Sequence, residues 1–293
     1  MQTLLITGGS GQVGTCLRHL AWPSGVAAWL PSRQEIDLAK PESLHAIFSD
    51  RSIAAVINCA AFTAVDRCES EPTIAWQVNA QGPAALAAIT AARGIPLIHV
   101  STDYVFDGMK SSPYDEDDAV GPLSVYGASK ERGEQAVRSL NPHHAIVRTS
   151  WVVSPYGSNF VKTMLRLAAE RDLVRVVDDQ IGAPTHAGDL AQALATIALG
   201  LISDRQAATG TFHFANAGIV SWHGVAKEIF YLAAEAGHKV PRLEAIATAQ
   251  YPVPARRPVN SLLSTSKIER AYAITPRAWQ DGLRDTVMKL LQA

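Results

Sequence analysis

Cysteine is scarce: the 293 residues hold three, Cys16, Cys59 and Cys68. An odd, scattered set without metal-type spacing argues against a disulfide framework and suits a reducing compartment. No charge sign dominates. Twenty-six Lys and Arg stand against 27 Asp and Glu, a formal net charge of −1. A chain-wide electrostatic footprint for nucleic acid is therefore absent. No apolar run suits a bilayer either. Residues 73–92 carry no charge, but Gln77, Asn79, Gln81, Gly82 and Pro83 interrupt them, and a span needs about 20 mostly apolar residues. Met1-Gln2-Thr3 leads straight into Leu4-Leu5-Ile6, with no basic segment and no long apolar stretch, so no targeting segment is expected. His-Glu-x-x-His and Cys-x-x-Cys patterns are missing, and no metal is expected. The expectation is a cytoplasmic chain whose partners are neither nucleic acid nor membrane. With 47% hydrophobic and 18% charged residues, the composition is that of a folded protein. At about 100–200 residues per domain, the length allows one large domain or two.

Through the first half, short apolar runs alternate with helical spacing. Residues 4–7, 26–30, 54–58, 95–100 and 145–148 read as strands. Residues 12–20, 41–48 and 126–140 read as helices, and 72–93 as one long helix stopped by Gly94. Such alternation predicts an α/β protein with a doubly wound parallel sheet. The strands are nearly continuous apolar runs, as burial on both faces requires. Beyond Trp151 the pattern loosens. Residues 160–170, 189–201, 221–236 and 286–291 read as helices, and 241–258 as a proline-rich loop. The expected division is a cofactor domain over 1–150 and a smaller α/β substrate domain, mainly 151–293, with a segment near 186–212 returning to the sheet. The acidic run 115–118 reads as a solvated loop, and His143-His144 beside Pro142 as a surface turn.

Thr7-Gly8-Gly9-Ser10-Gly11-Gln12-Val13-Gly14 follows the first strand and opens the first helix. Glycines at 8, 11 and 14 let the backbone approach a pyrophosphate, and the helix start offers free N–H groups and a positive dipole end. Gly8, Ser10, Gly11, Gln12, Val13 and Gly14 are therefore candidate cofactor residues on a Rossmann-type sheet. The second strand ends in Trp29-Leu30-Pro31-Ser32-Arg33, without the acid that would favour NAD. Ser32 and Arg33 suit a 2′-phosphate and so NADPH; an ordinary surface arginine is the plainer alternative. Asp37 and Leu38 fall close to the adenine. The third strand ends in Asn58-Cys59-Ala60-Ala61, and Cys59, Ala60 and Ala61 are small enough to leave room for a cofactor.

In a doubly wound sheet, ligands bind outside the carboxyl ends of the strands. Ser101-Thr102-Asp103-Tyr104 and Thr149-Ser150-Trp151 bring polar groups there. Tyr126-Gly127-Ala128-Ser129-Lys130 then places a phenol and an amine on one helix face. A nearby ammonium is expected to lower the tyrosine pKa. Tyr126 as acid, Lys130 as cation on the nicotinamide ribose, and Thr102 as hydroxyl partner suit hydride addition to a ketone. Asn79 could hold a relay water or bond locally.

The glycine loop, Ser101-Thr102-Asp103-Tyr104-Val105-Phe106 and Tyr126-x-x-x-Lys130 together resemble an extended short-chain dehydrogenase/reductase. Further segments are similar to the dTDP-4-dehydrorhamnose reductase family. They are Asn58-Cys59-Ala60-Ala61-Phe62-Thr63-Ala64-Val65-Asp66, Arg148-Thr149-Ser150-Trp151-Val152, Asn159-Phe160-Val161-Lys162-Thr163-Met164-Leu165, Asp179-Gln180-Ile181-Gly182-Ala183-Pro184-Thr185 and Arg257-Pro258-Val259-Asn260-Ser261. They span nearly the whole chain in order. The resemblance implies reduction of the C4 ketone of dTDP-4-dehydro-β-L-rhamnose to dTDP-L-rhamnose, with NADPH and sometimes NADH. It implies catalytic Thr102, Tyr126 and Lys130. It also implies that Asp103, Tyr104 and Trp151 line the sugar pocket and that Arg257 lies in the nucleotide-sugar region. Some members bind Mg²⁺ through interface glutamates. Thr15-Cys16 and Gly188 replace two of them here, which predicts no such metal and leaves monomer and homodimer open. A 4,6-dehydratase would show Glu where Tyr104 stands. A 4-ketoreductase forming another deoxysugar, such as 6-deoxy-talose, stays open. So does a non-catalytic NADP-binding subunit like the regulatory subunit of methionine adenosyltransferase.

Overall fold

The computed structural model describes residues 1–292. Its first half runs β1 (Gln2–Thr7), α1 (Gln12–Arg18), β2 (Val26–Trp29), α2 (Ser43–Asp50), β3 (Ile53–Asn58), α3 (Val65–Ser70), α4 (Pro72–Trp76), a wider π turn (Gln77–Gln81), α5 (Gly82–Ala91), β4 (Leu97–Thr102), α6 (Val125–Leu140) and β5 (His144–Thr149). The second half adds β6 (Val152–Val153), α7 (Phe160–Glu170), β7 (Leu173–Val177), β8 (Ile181–Gly182), β9 (Thr185–His186), α8 (Ala187–Ser203), β10 (Gly210–His213), β11 (Val220–Ser221), α9 (Trp222–Glu235), β12 (Arg242–Ile246), α10 (Ser266–Tyr272) and α11 (Trp279–Leu291).

Six parallel strands form the central sheet in the order β10-β5-β4-β3-β1-β2. The order reverses at β1, so the crevice for a ligand opens at the carboxyl ends of β1 and β3. The fold class is the expected α/β one. On one face, Leu4, Ile6, Ile57, Ile98 and Val147 pack with Leu190, Leu194 and Ile197 of α8. On the other, Leu5, Val56, Leu97 and Ile146 pack with Leu86 of α5 and Val137 of α6. A further core joins α7, α9 and α11 through Met164, Ile229, Phe230 and Leu283.

The sequence-based outline needs four corrections. The expected single helix over 72–93 is broken by the π turn. Pro83 has no N–H to give the Asn79 carbonyl four residues back, so the regular ladder cannot run through. Gly133 of α6 sits against that carbonyl; a Cβ there would meet Asn79 O at 2.2 Å. The expected loop over 241–258 contains β12, which pairs with β7. That pairing joins segments about 70 residues apart, which local pattern does not reveal. His144 is no surface residue: it is 7% exposed at the start of β5, with Nδ1 2.6 Å from Asn141 O. Finally, α3 was not expected, and the segment expected to return near 186–212 ends in a strand, β10, which completes one edge of the sheet. No described helix is long and apolar enough to cross a membrane.

Candidate active site

The glycine turn is built for close approach. Gly8 has φ +72°, and a Cβ on it would meet Ala60 N at 2.6 Å. A Cβ on Gly14 would lie 2.2 Å from Gly8 O. Gly11 starts α1 with no side-chain cap, leaving helix N–H groups for a phosphate to take up. These features fit a dinucleotide. The Gln12 side chain is engaged elsewhere. Its Nε2 donates to Val152 O at 3.3 Å, and Oε1 accepts from Ser154 and Asn159 at 2.8 and 3.0 Å. It ties α1 to the chain beyond β5.

At the end of β2, Arg33 is largely exposed and pairs with Asp37 at 3.6 Å. Ser32 gives both its N–H and its hydroxyl to Glu35, at 2.8 and 2.9 Å. Residues 29–33 hold no acid, but Glu35 from beyond them comes back to Ser32. It lies six residues past the strand end, and a turn brings it back. Leu38 is buried against Gly82.

Thr102, Tyr126 and Lys130 are all buried at the carboxyl end of β4 and the start of α6. Three contacts seat that helix start. Ser124 Oγ accepts from Gly127 N at 3.2 Å, Glu69 accepts from Val125 N at 2.8 Å, and Gly127 lies so close to Tyr104 that a Cβ would meet its carbonyl at 2.1 Å. The Thr102 hydroxyl donates to Asp103 at 3.0 Å and accepts from Tyr104 N at 3.2 Å. Burial pushes the Tyr126 phenol well above its ordinary range, and its hydrogen bond with Thr102 pulls the other way. The expected lowering by Lys130 does not emerge: desolvation dominates, and only the Thr102 hydrogen bond opposes it. Tyr126 is thus a protonated acid at neutral pH. Burial brings Lys130 down to about 8 and pushes Asp103 up to about 6. Asp103 Oδ2 is buried with no hydrogen-bond partner. Cys59 is no nucleophile, since burial pushes its thiol up to about 12.

Asn79 is not free to hold a water. Its amide accepts from Phe62 N at 2.8 Å and donates to Phe62 O and Ser129 Oγ at 3.1 Å each. Arg257 reaches Asp66 at 2.8 Å and so ties the proline-rich segment to α3. Its Nε is buried without a partner. Tyr104 packs edge-on against Tyr126 at 5.5 Å. Trp151 stacks on Trp222 at 3.7 Å and abuts Gly182. Glu35, Asp66 and Trp222 escaped the sequence reading. Asp66 lies in a segment that had drawn notice, but nothing local names its partner. A cavity of about 540 Å³ lined by Pro113, Ala183, Asn216, Leu262 and Thr265 contains none of Thr102, Tyr126 and Lys130. The chemistry, not that volume, marks the site.

A side chain at position 188 would displace the His186 ring, which lies 2.6 Å from a Cβ there. Among the described residues, no group of three or more His, Cys, Asp or Glu is placed to hold a metal.

A glycine turn at the sheet's reversal point, with a Tyr-x-x-x-Lys helix face beside it, defines the class of short-chain dehydrogenase/reductases. The RmlD substrate binding domain family matches residues 1–292, and the chain belongs to that family. A dTDP-4-dehydrorhamnose reductase of Sinorhizobium fredii is 45% identical over 289 residues, 98% of this chain and 97% of that protein. A crystal structure of a dTDP-4-dehydrorhamnose reductase from Clostridium acetobutylicum superposes with a TM-score of 0.92 at 37% identity, covering 100% of both chains. One from Bacillus anthracis, in complex with NADP, gives 0.90 at 34% identity, covering 99% of this chain and 100% of that one.

Proposed function

We propose that this chain reduces the C4 ketone of dTDP-4-dehydro-β-L-rhamnose to dTDP-L-rhamnose. The observation that carries the reading is the buried set of Tyr126, Thr102 and Lys130 beside a glycine turn that fits a dinucleotide. When bound, NADPH supplies the hydride. The ketone π electrons move to oxygen, which takes the Tyr126 proton. Thr102 donates a hydrogen bond to the same oxygen, and Lys130 offsets the charge left on the phenolate. Gly8, Ser10, Gly11, Gln12, Val13 and Gly14 hold the pyrophosphate through backbone groups, with Cys59, Ala60 and Ala61 across the crevice. Asp103, Tyr104, Trp151 and Arg257 surround the nucleotide sugar. The same reading assigns 1–150, with 186–212, to cofactor and most of 151–293 to substrate.

The cofactor reading has two sides. Arg33 suits the 2′-phosphate of NADPH. Glu35, on the Ser32 donors, gives NADH a foothold. Arg33→Ala is expected to raise KM for NADPH more than for NADH; equal effects on both would remove Arg33 from the 2′-phosphate. The main test follows NADPH absorbance with dTDP-4-dehydro-L-rhamnose and identifies the product by NMR. dTDP-L-rhamnose supports the proposal. The talose epimer changes the product, and tight NADPH binding without turnover points to a binding subunit.

A further inference from the structure

A buried polar chain runs behind the site, and the fold fixes its hydrogen-bond polarity. Asn58, at the end of β3, accepts through Oδ1 from the Ala60 N–H at 3.2 Å and from the Thr7 hydroxyl at 2.6 Å. A backbone N–H can only donate, so the amide orientation is set. Nδ2 then faces His99 Nδ1 at 2.9 Å, and Nδ2 can only donate. His99 Nδ1 must therefore be the bare nitrogen. Neutral imidazole carries one proton, which falls on Nε2. Nε2 lies 3.4 Å from Lys130 Nζ, which itself donates to Val100 O at 2.7 Å.

An ammonium at Lys130 would meet that N–H donor to donor. A neutral amine offers it a lone pair. We propose that His99 is a positioning residue that presents an N–H to Lys130 and so favours the amine over the ammonium there. The role of Lys130 in turnover rests on the ketone reduction proposed above; the hydrogen-bond polarity does not.

Other charges do not reverse the argument. Cys59 and Glu134 face Lys130 and favour its charged form. The Cys59 thiol is held protonated by burial. Glu134 is engaged by Arg148 at 2.7 Å and Arg138 at 2.9 Å. Tyr126, one helical turn before Lys130, is held protonated. His99 itself faces Lys130 and His144, and burial and both neighbours oppose a charge on it.

The test reads the cofactor-free protein. With ¹⁵N-labelled histidine, NMR is expected to show a bare Nδ1 and a protonated Nε2 for His99 from about pH 6 to pH 9. A proton on Nδ1 in that range overturns the proposal. Asn58→Asp then reverses the polarity. Its carboxylate still accepts from Ala60 and Thr7, but now accepts from His99 Nδ1–H as well, so Nε2 turns a lone pair to Lys130. The Lys130 Nζ signal should titrate about one pH unit higher, a tenfold change in its proton affinity. The alkaline limb of kcat/KM should move with it. An unmoved Lys130 titration after the tautomer has switched also overturns the proposal. Should Asn58→Asp not fold, the ring signals of the unaltered protein still decide. Failure of the ketone-reduction reading would appear in turnover and leave both NMR readouts intact.

Discussion

Removing the charge of Glu134 should strip Arg148 of its counter-ion inside the protein. Arg148 and Glu134 are 3% and 0% exposed in their side chains. The guanidinium binds with two arms: Nη2 lies 2.7 Å from Oε2 and Nε 3.0 Å from Oε1. Burial pushes the Glu134 carboxyl up, yet the bonds to Arg148 and the attraction of its charge outweigh this and hold it below its ordinary value. Glu134→Gln keeps the shape and sets an amide against a buried cation. Such a loss costs about 3–5 kcal/mol. Arg148 keeps its place over the Phe106 ring, 4.9 Å from the centroid, so the lower end, about 3 kcal/mol, is expected. Against a total of about 5–15 kcal/mol, that is a large fraction. Removing both charges, as Glu134→Leu with Arg148→Met, should return to within about 1–2 kcal/mol of the parent. Urea unfolding at one temperature, extrapolated linearly, measures all three proteins. A loss under about 1 kcal/mol in the single variant, or no recovery in the double one, would show that Glu134 is not the counter-ion Arg148 depends on.

Tyr126→Phe removes the acid and keeps the ring packing, so turnover should fall about 10²–10⁴-fold with cofactor affinity nearly unchanged; stopped-flow and titration check both, and unaltered turnover removes Tyr126 as the proton donor. Gly133→Ala drives a methyl into the Asn79 carbonyl, 2.2 Å away. It should cost about 1–3 kcal/mol, and turnover should drop about 10²-fold if α6 shifts by ~1 Å. A neutral effect on both would show that the contact yields freely. Burial raises Asp189, but bonds from His186, Arg277 and Asn216 outweigh it and hold the carboxyl well below its usual value. A depressed carboxyl stabilises the fold above its unfolded pKa of about 3.9 and loses that stability as pH falls through its folded value. Asp189→Asn should therefore lower Tm at neutral pH and flatten its fall below about pH 4; parallel Tm curves for parent and variant would remove Asp189 from the acid limb.

What could be read in the sequence was local. The glycines at 8, 11 and 14 and the Tyr126–Lys130 spacing each lie within one turn or one helix, so a short window carries their geometry. The parallel, doubly wound sheet followed from alternation of strand and helix, which handedness and burial rules constrain tightly. What escaped depends on partners far along the chain. Leu173–Val177 pairs with Arg242–Ile246, and neither is a long apolar run. Gly210–His213 is four residues long and gains its place only beside β5. The π turn is a conflict between Pro83 and an otherwise helical segment, settled by Gly133 from another helix. In the candidate site, the grouping of Thr102, Tyr126 and Lys130 was legible, while the buried groups behind them were not. Asn58 and His99 are 41 residues apart, and His99 and Lys130 are 31. A histidine in a buried strand looks like any other until its neighbours say which nitrogen carries the proton.

Trp151 shows how such conflicts gather where the two halves meet. Its φ is +49°, a region that a bulky residue enters only under compulsion. The strain is of order 1–2 kcal/mol. It is balanced by what the turn makes possible: the indole lies flat on Trp222, at 3.7 Å and 15° between planes. Gly182 gives way beneath it, since a Cβ there would meet the ring at 2.8 Å. The Trp151 carbonyl meanwhile accepts from Thr185 N at 3.2 Å, which leads into the β6–β9 pairing. Relaxing the backbone would turn the ring away from Trp222 and the carbonyl away from Thr185 together. A strained residue persists when several contacts fix it at once. Those contacts sit at the carboxyl end of β5, beside the end of β4 where Thr102 lies.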